Sequence, residues 1–450
     1  MKKDVYKPFN TTLLSLMLIP QLITANENSD NIYGDVSGVI RFYYVFNPSY
    51  VKSGRSEDYS LEGSAFGGHI KYSSPTYKNF SFSSALYYVI DPKLNDTDDV
   101  NTMVAAGRFF TQDYSNKAVL AELNLLYKNK NHKLEIGRVK IDSPLTNSIS
   151  TYMPNMFEAI SYKNSQFDDF EFILLQIEKM AYGTRSPVEF GLIGETTRTA
   201  GATQSGINSR GDFLTIEQQV LADSSVDTNG VTAFAILNKS IKNTTIRIWD
   251  LYAHDIINML YIDSIYKDSE TTLPYKISAQ YLNVKTVGKD LASSWVDKSS
   301  AYMLGLRFDV RYNNISAFIA YNHSGDAKLL NPFSGDPAYT SSFFSRNAYR
   351  ANVDAYKIGT VFKLSDEFKV LANYADYGRS TTLGTFAPSL PVEAQSEPDA
   401  DAMESSLLFS YNPLKELNFL TGVIYKTSEY FYNSKQVKLL DLDFIATYKF

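Results

Sequence analysis

Residues 440–450 read L-D-L-D-F-I-A-T-Y-K-F. Leu440, Leu442, Phe444, Ala446, Tyr448 and Phe450 share one parity. Asp441, Asp443, Thr447 and Lys449 share the other, with Ile445 the one apolar residue among them. Successive side chains of a strand point to opposite faces, so this segment carries one apolar and one polar face. About ten tilted residues of that kind suffice to cross a bilayer. A soluble domain rarely needs such a strand as its last residues.

The other end agrees. Residues 1–10 carry Lys2, Lys3 and Lys7 against Asp4, residues 11–23 are mostly apolar, and Thr24-Ala25 closes them with a small residue. This is the layout of a secretory signal peptide, with cleavage expected after Ala25 and a mature unit over 26–450. The apolar part is too short for a spanning helix and contains Pro20. The final strand, with its terminal aromatic, is similar to the C-terminal strand signal of bacterial outer membrane barrels, and the resemblance implies that Phe450 is an assembly signal.

Composition narrows the classes. The chain has no cysteine, hence no disulfide and no thiolate metal site. A formal charge of −6 gives no electrostatic footprint for nucleic acid. After residue 25 no run of eighteen apolar residues occurs, which excludes a helical membrane protein. The 33 Tyr and 28 Phe suit strands and the interfacial girdles of a barrel.

Eighteen strands are expected, near 36–46, 62–73, 80–90, 118–128, 132–141, 158–163, 171–181, 231–238, 244–252, 256–267, 274–284, 300–312, 315–323, 354–364, 368–377, 404–411, 418–428 and 438–450. Residues 302–312 show the clearest alternation: Tyr302, Leu304, Leu306, Phe308, Val310 and Tyr312 against Met303, Gly305, Arg307, Asp309 and Arg311. Connections alternate between short turns, such as Asn313-Asn314, and long polar loops, such as 91–117, 182–230 and 324–353. His254 lies in a short connection where a long one is due. The expectation is an all-β fold, a single antiparallel transmembrane β-barrel with short periplasmic turns and long external loops. The alternative, a soluble sandwich or propeller, does not account for the long–short alternation.

The most distinctive stretch is 133–159. Ile136-Gly137-Arg138 leads into Ile141-Asp142-Ser143-Pro144-Leu145-Thr146-Asn147, and Met153-Pro154-Asn155 precedes Phe157-Glu158-Ala159. Gly137 suggests a bulge and a slip of phase, and two prolines stiffen the loop. Such a loop either folds into the lumen or stays outside.

This run, with the start at Gly34–Tyr44, resembles OprD-like and Opr-family outer membrane porins and the related major porins of ε-proteobacteria. The resemblance implies an eighteen-stranded porin whose third external loop narrows the pore. The constriction would then fall on Asp142, Ser143, Pro144, Leu145, Thr146, Asn147, Pro154, Asn155 and Phe157. It also implies a basic wall facing that loop. Inward parity nominates Arg41, Lys71, Lys276, Arg307, Arg311 and Lys357. Arg138 joins them only if Gly137 is a bulge.

No catalytic site is expected. His69, His132, His254 and His323 lack metal spacing, and His69 and His132 lack a recognisable nucleophile partner. No cofactor or metal is implied. The favoured function is a water-filled outer membrane channel for small hydrophilic solutes and ions. A substrate-selective channel for small carboxylates, amino acids or peptides is second, and a barrel enzyme or adhesin third. The expected partners are membrane lipid and lipopolysaccharide, small hydrophilic solutes and the outer membrane insertion machinery. Monomer and homotrimer are both open.

Overall fold

The computed structural model describes residues 33–50, 59–94, 116–147, 151–184, 211–221, 225–291, 298–327, 329, 331–333, 335–343, 350–380, 401–432 and 435–450. The expected signal peptide lies outside them. Nineteen strands occur among the described residues. The first seven are β1 (Asp35–Tyr50), β2 (Tyr59–Ser73), β3 (Phe80–Ile90), β4 (Lys117–Lys128), β5 (His132–Val139), β6 (Met156–Phe167) and β7 (Phe170–Ala181). A two-residue strand β8 (Leu214–Thr215) leads into a single helical turn α1 (Ile216–Val220). Then come β9 (Val231–Asn238), β10 (Thr244–Ala253), β11 (Ile257–Asp268), β12 (Tyr275–Thr286), β13 (Ser300–Tyr312) and β14 (Ile315–Ser324). The last are β15 (Val353–Lys363), β16 (Phe368–Gly378), β17 (Ala402–Tyr411), β18 (Leu417–Tyr432) and β19 (Lys435–Lys449).

Apart from β8, each strand pairs antiparallel with its sequence neighbours, and β7 pairs directly with β9. The ends meet: β1 pairs antiparallel with β19, from Val39 opposite Lys449 to Tyr50 opposite Leu439. The result is a closed eighteen-stranded antiparallel barrel, as expected. Predicted and observed strands correspond one to one, and β8 is the addition. The principal extensions are at 158–163, which lengthens into β6, and at the last hairpin, where β18 runs to Tyr432 and β19 starts at Lys435.

Parity decides the faces. Leu306 is 57% exposed, Ile319 56% and Ile358 58%, whereas Asp441 and Asp443 are buried. Apolar side chains therefore clothe the outside, and carboxylates, amides and small residues line the inside. The residues named above from 302 to 312 follow this rule. Ile445 points inward and packs beside an inner cluster that includes Tyr43, Val45 and Tyr87.

Gly137 corrects one expectation. The register through it is unbroken, with Asn124 on one side and Ala159 on the other. It carries no bulge. It has φ +124°, and a Cβ there would lie 2.3 Å from the Leu123 carbonyl oxygen. Its role is a close approach of two backbones. The bulges lie on nearby strands instead, where the β3–β4 register shifts at Ala85/Leu86 and the β6–β7 register at Glu158/Ala159.

The seam ends at Phe450. Gly38 N–H donates to its carbonyl at 2.8 Å and its own N–H donates back at 3.1 Å. Its ring lies against Gly38, where a Cβ would come within 2.6 Å of Cζ.

Two tests follow from this arrangement. Leu306→Arg should lower folding stability by about 2–4 kcal/mol, as for an arginine near a bilayer midplane. Ser316→Arg, on the inner parity of the next strand, should change it by roughly 0.5 kcal/mol or less. Denaturant titration in bilayers distinguishes them, and equal losses would invert the face assignment. At the seam, Gly38→Val should displace the Phe450 ring and lower the yield of heat-modifiable, folded protein. Deletion of Phe450 should do the same, and unchanged yields for both would remove the seam from assembly.

Candidate functional site: the filled lumen

Strand β5 has only eight residues and stops at Val139. The chain then turns inward over residues 140–147, and residues 151–155 lead back to Met156. Leu145, Met153 and Asn155 are buried, and so is Phe157 at the start of β6. Ser143 shapes the turn: its hydroxyl accepts from Leu145 N–H at 3.1 Å, and its carbonyl accepts from Asn147 N–H at 2.9 Å. Thr146 donates to the Ile141 carbonyl at 3.0 Å. Asp142 and Pro144 line a cavity on one side of the loop. Pro154 lines one on the other side, with Asn147 shared by both.

The loop is anchored far along the wall. The Tyr152 hydroxyl donates 2.7 Å to the Ala65 carbonyl of β2. Burial pushes this hydroxyl well above the usual tyrosine range, so it acts as a neutral donor. Arg41 of β1 donates to the Thr151 carbonyl and, at 3.0 Å, to Thr447 of β19.

A second inward loop meets the first. Asn155 donates 2.9 Å to the Phe333 carbonyl, and Asn331 donates 2.9 Å to the Leu145 carbonyl. The Tyr182 hydroxyl donates 2.8 Å to the Pro332 carbonyl. At Gly335 a Cβ would lie 2.2 Å from the Leu145 carbonyl carbon, so two main chains touch there. This loop is then tied to the far wall. Thr340 N–H donates to Asn322 of β14, Lys357 of β15 donates to the Ser341 carbonyl, and Phe343 N–H donates to Glu404 of β17. The two loops together bridge the lumen from β1–β2 to β14–β17.

Sequence reasoning missed this second partner and treated 324–353 as a plain polar loop. The available signal was Leu329-Leu330-Asn331-Pro332-Phe333, an apolar run around a turn-forming Asn-Pro. It also missed residues 211–221. They lie where the early end of β5 leaves the upper part of β4 without that neighbour. Lys117 of β4 pairs with Asp212 at 3.1 Å, and β8 pairs with Lys179 and Met180 of β7.

The nominated basic residues are not a row of free charges. Lys71 pairs with Glu122 at 2.5 Å. Arg307 pairs with Asp309 at 2.7 Å and lies 3.9 Å over the Phe318 ring, and Lys276 reaches the same Asp309 at 3.3 Å. Arg41 and Lys357 hold the two loops, as described. Arg311 keeps inner parity, toward the short-turn end of β13. Arg138 is the exception and must be removed from the wall. With no bulge at Gly137 it stays on the outer parity, between Leu123 and Glu158. It pairs with Glu158 at 3.0 Å and lies 4.1 Å over Phe213.

The histidines sit in ordinary contacts. His69 stacks on Tyr87 with centroids 4.6 Å apart, and His132 meets the Tyr162 hydroxyl at 2.8 Å. His254 meets Thr232 at 3.0 Å, and His323 meets Asp354 at 3.0 Å. Among the described residues no group of His, Asp and Glu is placed to hold a metal.

Two cavities flank the first loop. One of about 570 Å³ is lined by Lys133, Glu135, Lys163, Glu171, Arg247 and Tyr339, among others. The other, of about 280 Å³, is lined by His69, Tyr87, Thr146 and Tyr152. Lys140, Ile141 and Asn147 border both.

Similar solved structures share this architecture. The chain superposes on OccK9 (OpdG) of Pseudomonas aeruginosa with a TM-score of 0.69 at 14% identity, covering 92% of this chain and 97% of that one. OccAB3 of Acinetobacter baumannii gives 0.68 at 13% identity, over 92% and 98%. The outer membrane protein OpdK of Pseudomonas aeruginosa gives 0.65 at 11%, over 92% and 98%. No family model matches the sequence, and no curated protein matches it.

The loop junction can be tested directly. Gly335→Ala has only main-chain atoms to push against and should separate the two loops. Planar-bilayer recordings should then show a larger or noisier conductance than the native protein. A native trace with native stability would mean that the loops do not depend on this contact.

Proposed function

We propose that the chain is an OprD-like outer membrane channel through which small hydrophilic solutes and ions diffuse. The observation that carries this reading is a closed barrel with an apolar exterior and a lumen crossed by two loops, with a cavity on either side of the first. A barrel is the one β-architecture that leaves no open edge toward lipid. Polar inner faces and inward loops are the means by which such barrels set pore size. The shared fold with the outer membrane protein OpdK supports the location.

Residues 142–147 and 151–155 serve as the constriction in this reading, together with residues 331–333 and 335–343. Arg41 and Lys357 act as fasteners for these loops rather than as bare pore charges. Selectivity for small carboxylates is the second reading. It is favoured by one observation, that OpdK has also been crystallised with vanillate.

Removal of residues between Ser143 and Asn155 tests the assignment. Single-channel conductance should rise severalfold, and selectivity among solutes should weaken. The native protein should fractionate with the outer membrane and migrate faster before boiling. An unchanged conductance in a correctly folded deletion variant would place the constriction elsewhere.

A further inference from the structure

The outside of the barrel is not apolar all the way round. His132, Phe170, Asn238, Thr244 and Tyr312 mark the short-turn ends of β5, β7, β9, β10 and β13. Arg138, Gln176, Thr232, Asp250 and Leu306 each stand six residues inward from those ends. The strands of a barrel share one tilt, so these side chains lie near one level. All have outer parity: Arg138 lies opposite Leu123, Gln176 opposite Ile160 and Thr232, and Asp250 opposite Phe234. On other strands an outer residue at this count is apolar, as Leu86, Ile262, Leu306 and Val423 are, or is a tyrosine or Ser405.

From β5 to β10 the level turns polar. Thr232 donates to Gln176 Oε1 at 2.8 Å and meets His254 at 3.0 Å, and Asp250 accepts from the Asn258 amide at 2.6 Å. Thr232 and Asp250 are exposed. Toward the long-loop end, Glu158 lies between Arg138 at 3.0 Å and Lys179 at 3.4 Å. Toward the short turns the same face is apolar, through Leu174, Phe234 and Ile248.

Hydrocarbon cannot solvate a carboxylate or a guanidinium turned outward at the level of Leu306. A protein surface can, and the layout of this face suits its own copy. The centre, Gln176 and Thr232, offers donors and acceptors alike. Asp250 lies on the β10 flank, and the cations Arg138 and Lys179 lie on the β5–β7 flank beside Glu158 and Glu178. Rotation about the membrane normal turns the β10 flank of one copy toward the β5–β7 flank of its neighbour. Each Asp250 then meets the flank that holds the cations and not another Asp250.

We propose that the outer face of β5–β10 is the surface through which copies of this chain associate side by side in the membrane. The proposal goes beyond the channel reading, which a lone barrel satisfies equally.

The chain has no cysteine, so one introduced cysteine reports one contact. On oxidation in intact outer membranes, Thr232→Cys should give a cross-linked dimer. Val423→Cys, at the same level on the opposite side of the barrel, should give none. Adding Asp250→Leu to Thr232→Cys should remove the dimer band and shift the protein to monomer mass in mild detergent. Adding Asp250→Asn, which keeps the shape, should weaken the band. Faster migration before boiling shows that each variant has folded. A folded Thr232→Cys protein without a dimer overturns the proposal. So does an equally strong dimer from Val423→Cys, which marks random collision. A band undiminished by both Asp250 variants overturns it too, and a higher folding stability of Asp250→Leu would then assign the face to lipid. Single-channel conductance of the same variants tests the channel reading separately.

Discussion

The constraint on which the rest depends is the absence of water in a hydrocarbon layer. A strand in that layer cannot leave its N–H and C=O groups unpaired, since each unmet group costs several kcal/mol. An open sheet has two such edges. Here the edges are β1 and β19, and their mutual pairing removes both. Once the sheet is closed, every side chain has only two directions available. That is why Leu306 faces out and Asp441 faces in, and why a shift of one residue would exchange all of them.

Closure creates a second problem. Eighteen strands enclose more space than their own side chains fill. The two inward loops occupy it, and they bring irregular backbone into the interior. Their carbonyls and amides are met by side chains chosen for the purpose. Asn155 accepts from Gly183 N–H and donates to Phe333, and the Thr184 hydroxyl accepts from the N–H groups of Tyr152 and Met153. The loops are therefore part of the packed interior, and the fastening residues Arg41 and Lys357 tie them to the wall.

These two levels differ in how far the sequence reveals them. Strand existence and facing were legible because the bilayer imposes a period of two on each strand, as in 302–312 and 440–450. The first loop was legible through its paired prolines and its resemblance to a known porin segment. The second loop was not, because its contacts are between single amides and main-chain carbonyls, as at Asn331 and Gly335, and such contacts leave no period. The insertion at Lys117–Asp212 was hidden for the same reason. Gly137 misled because a glycine that permits close backbone approach and one that marks a bulge look alike in sequence. The error carried Arg138 onto the wrong face.

Charge was misjudged by counting basic residues alone. On a strand, residues two apart share a face, so Lys133-Leu134-Glu135 and Arg307-Phe308-Asp309 already encode pairs on the inner wall. Cross-strand neighbours complete others, as between Arg247 and Asp263. Pairing has a physical cause, because the low-permittivity protein around a narrow lumen raises the cost of an isolated charge. It also changes what removing one charge does. Replacing Arg307 does not merely delete a positive site; it leaves Asp309 to the more distant Lys276 and uncovers part of a carboxylate. Replacing Glu122 uncovers Lys71 in the same way. The selectivity of such a wall is set by which partner is missing, and a census of lysines and arginines cannot give its sign.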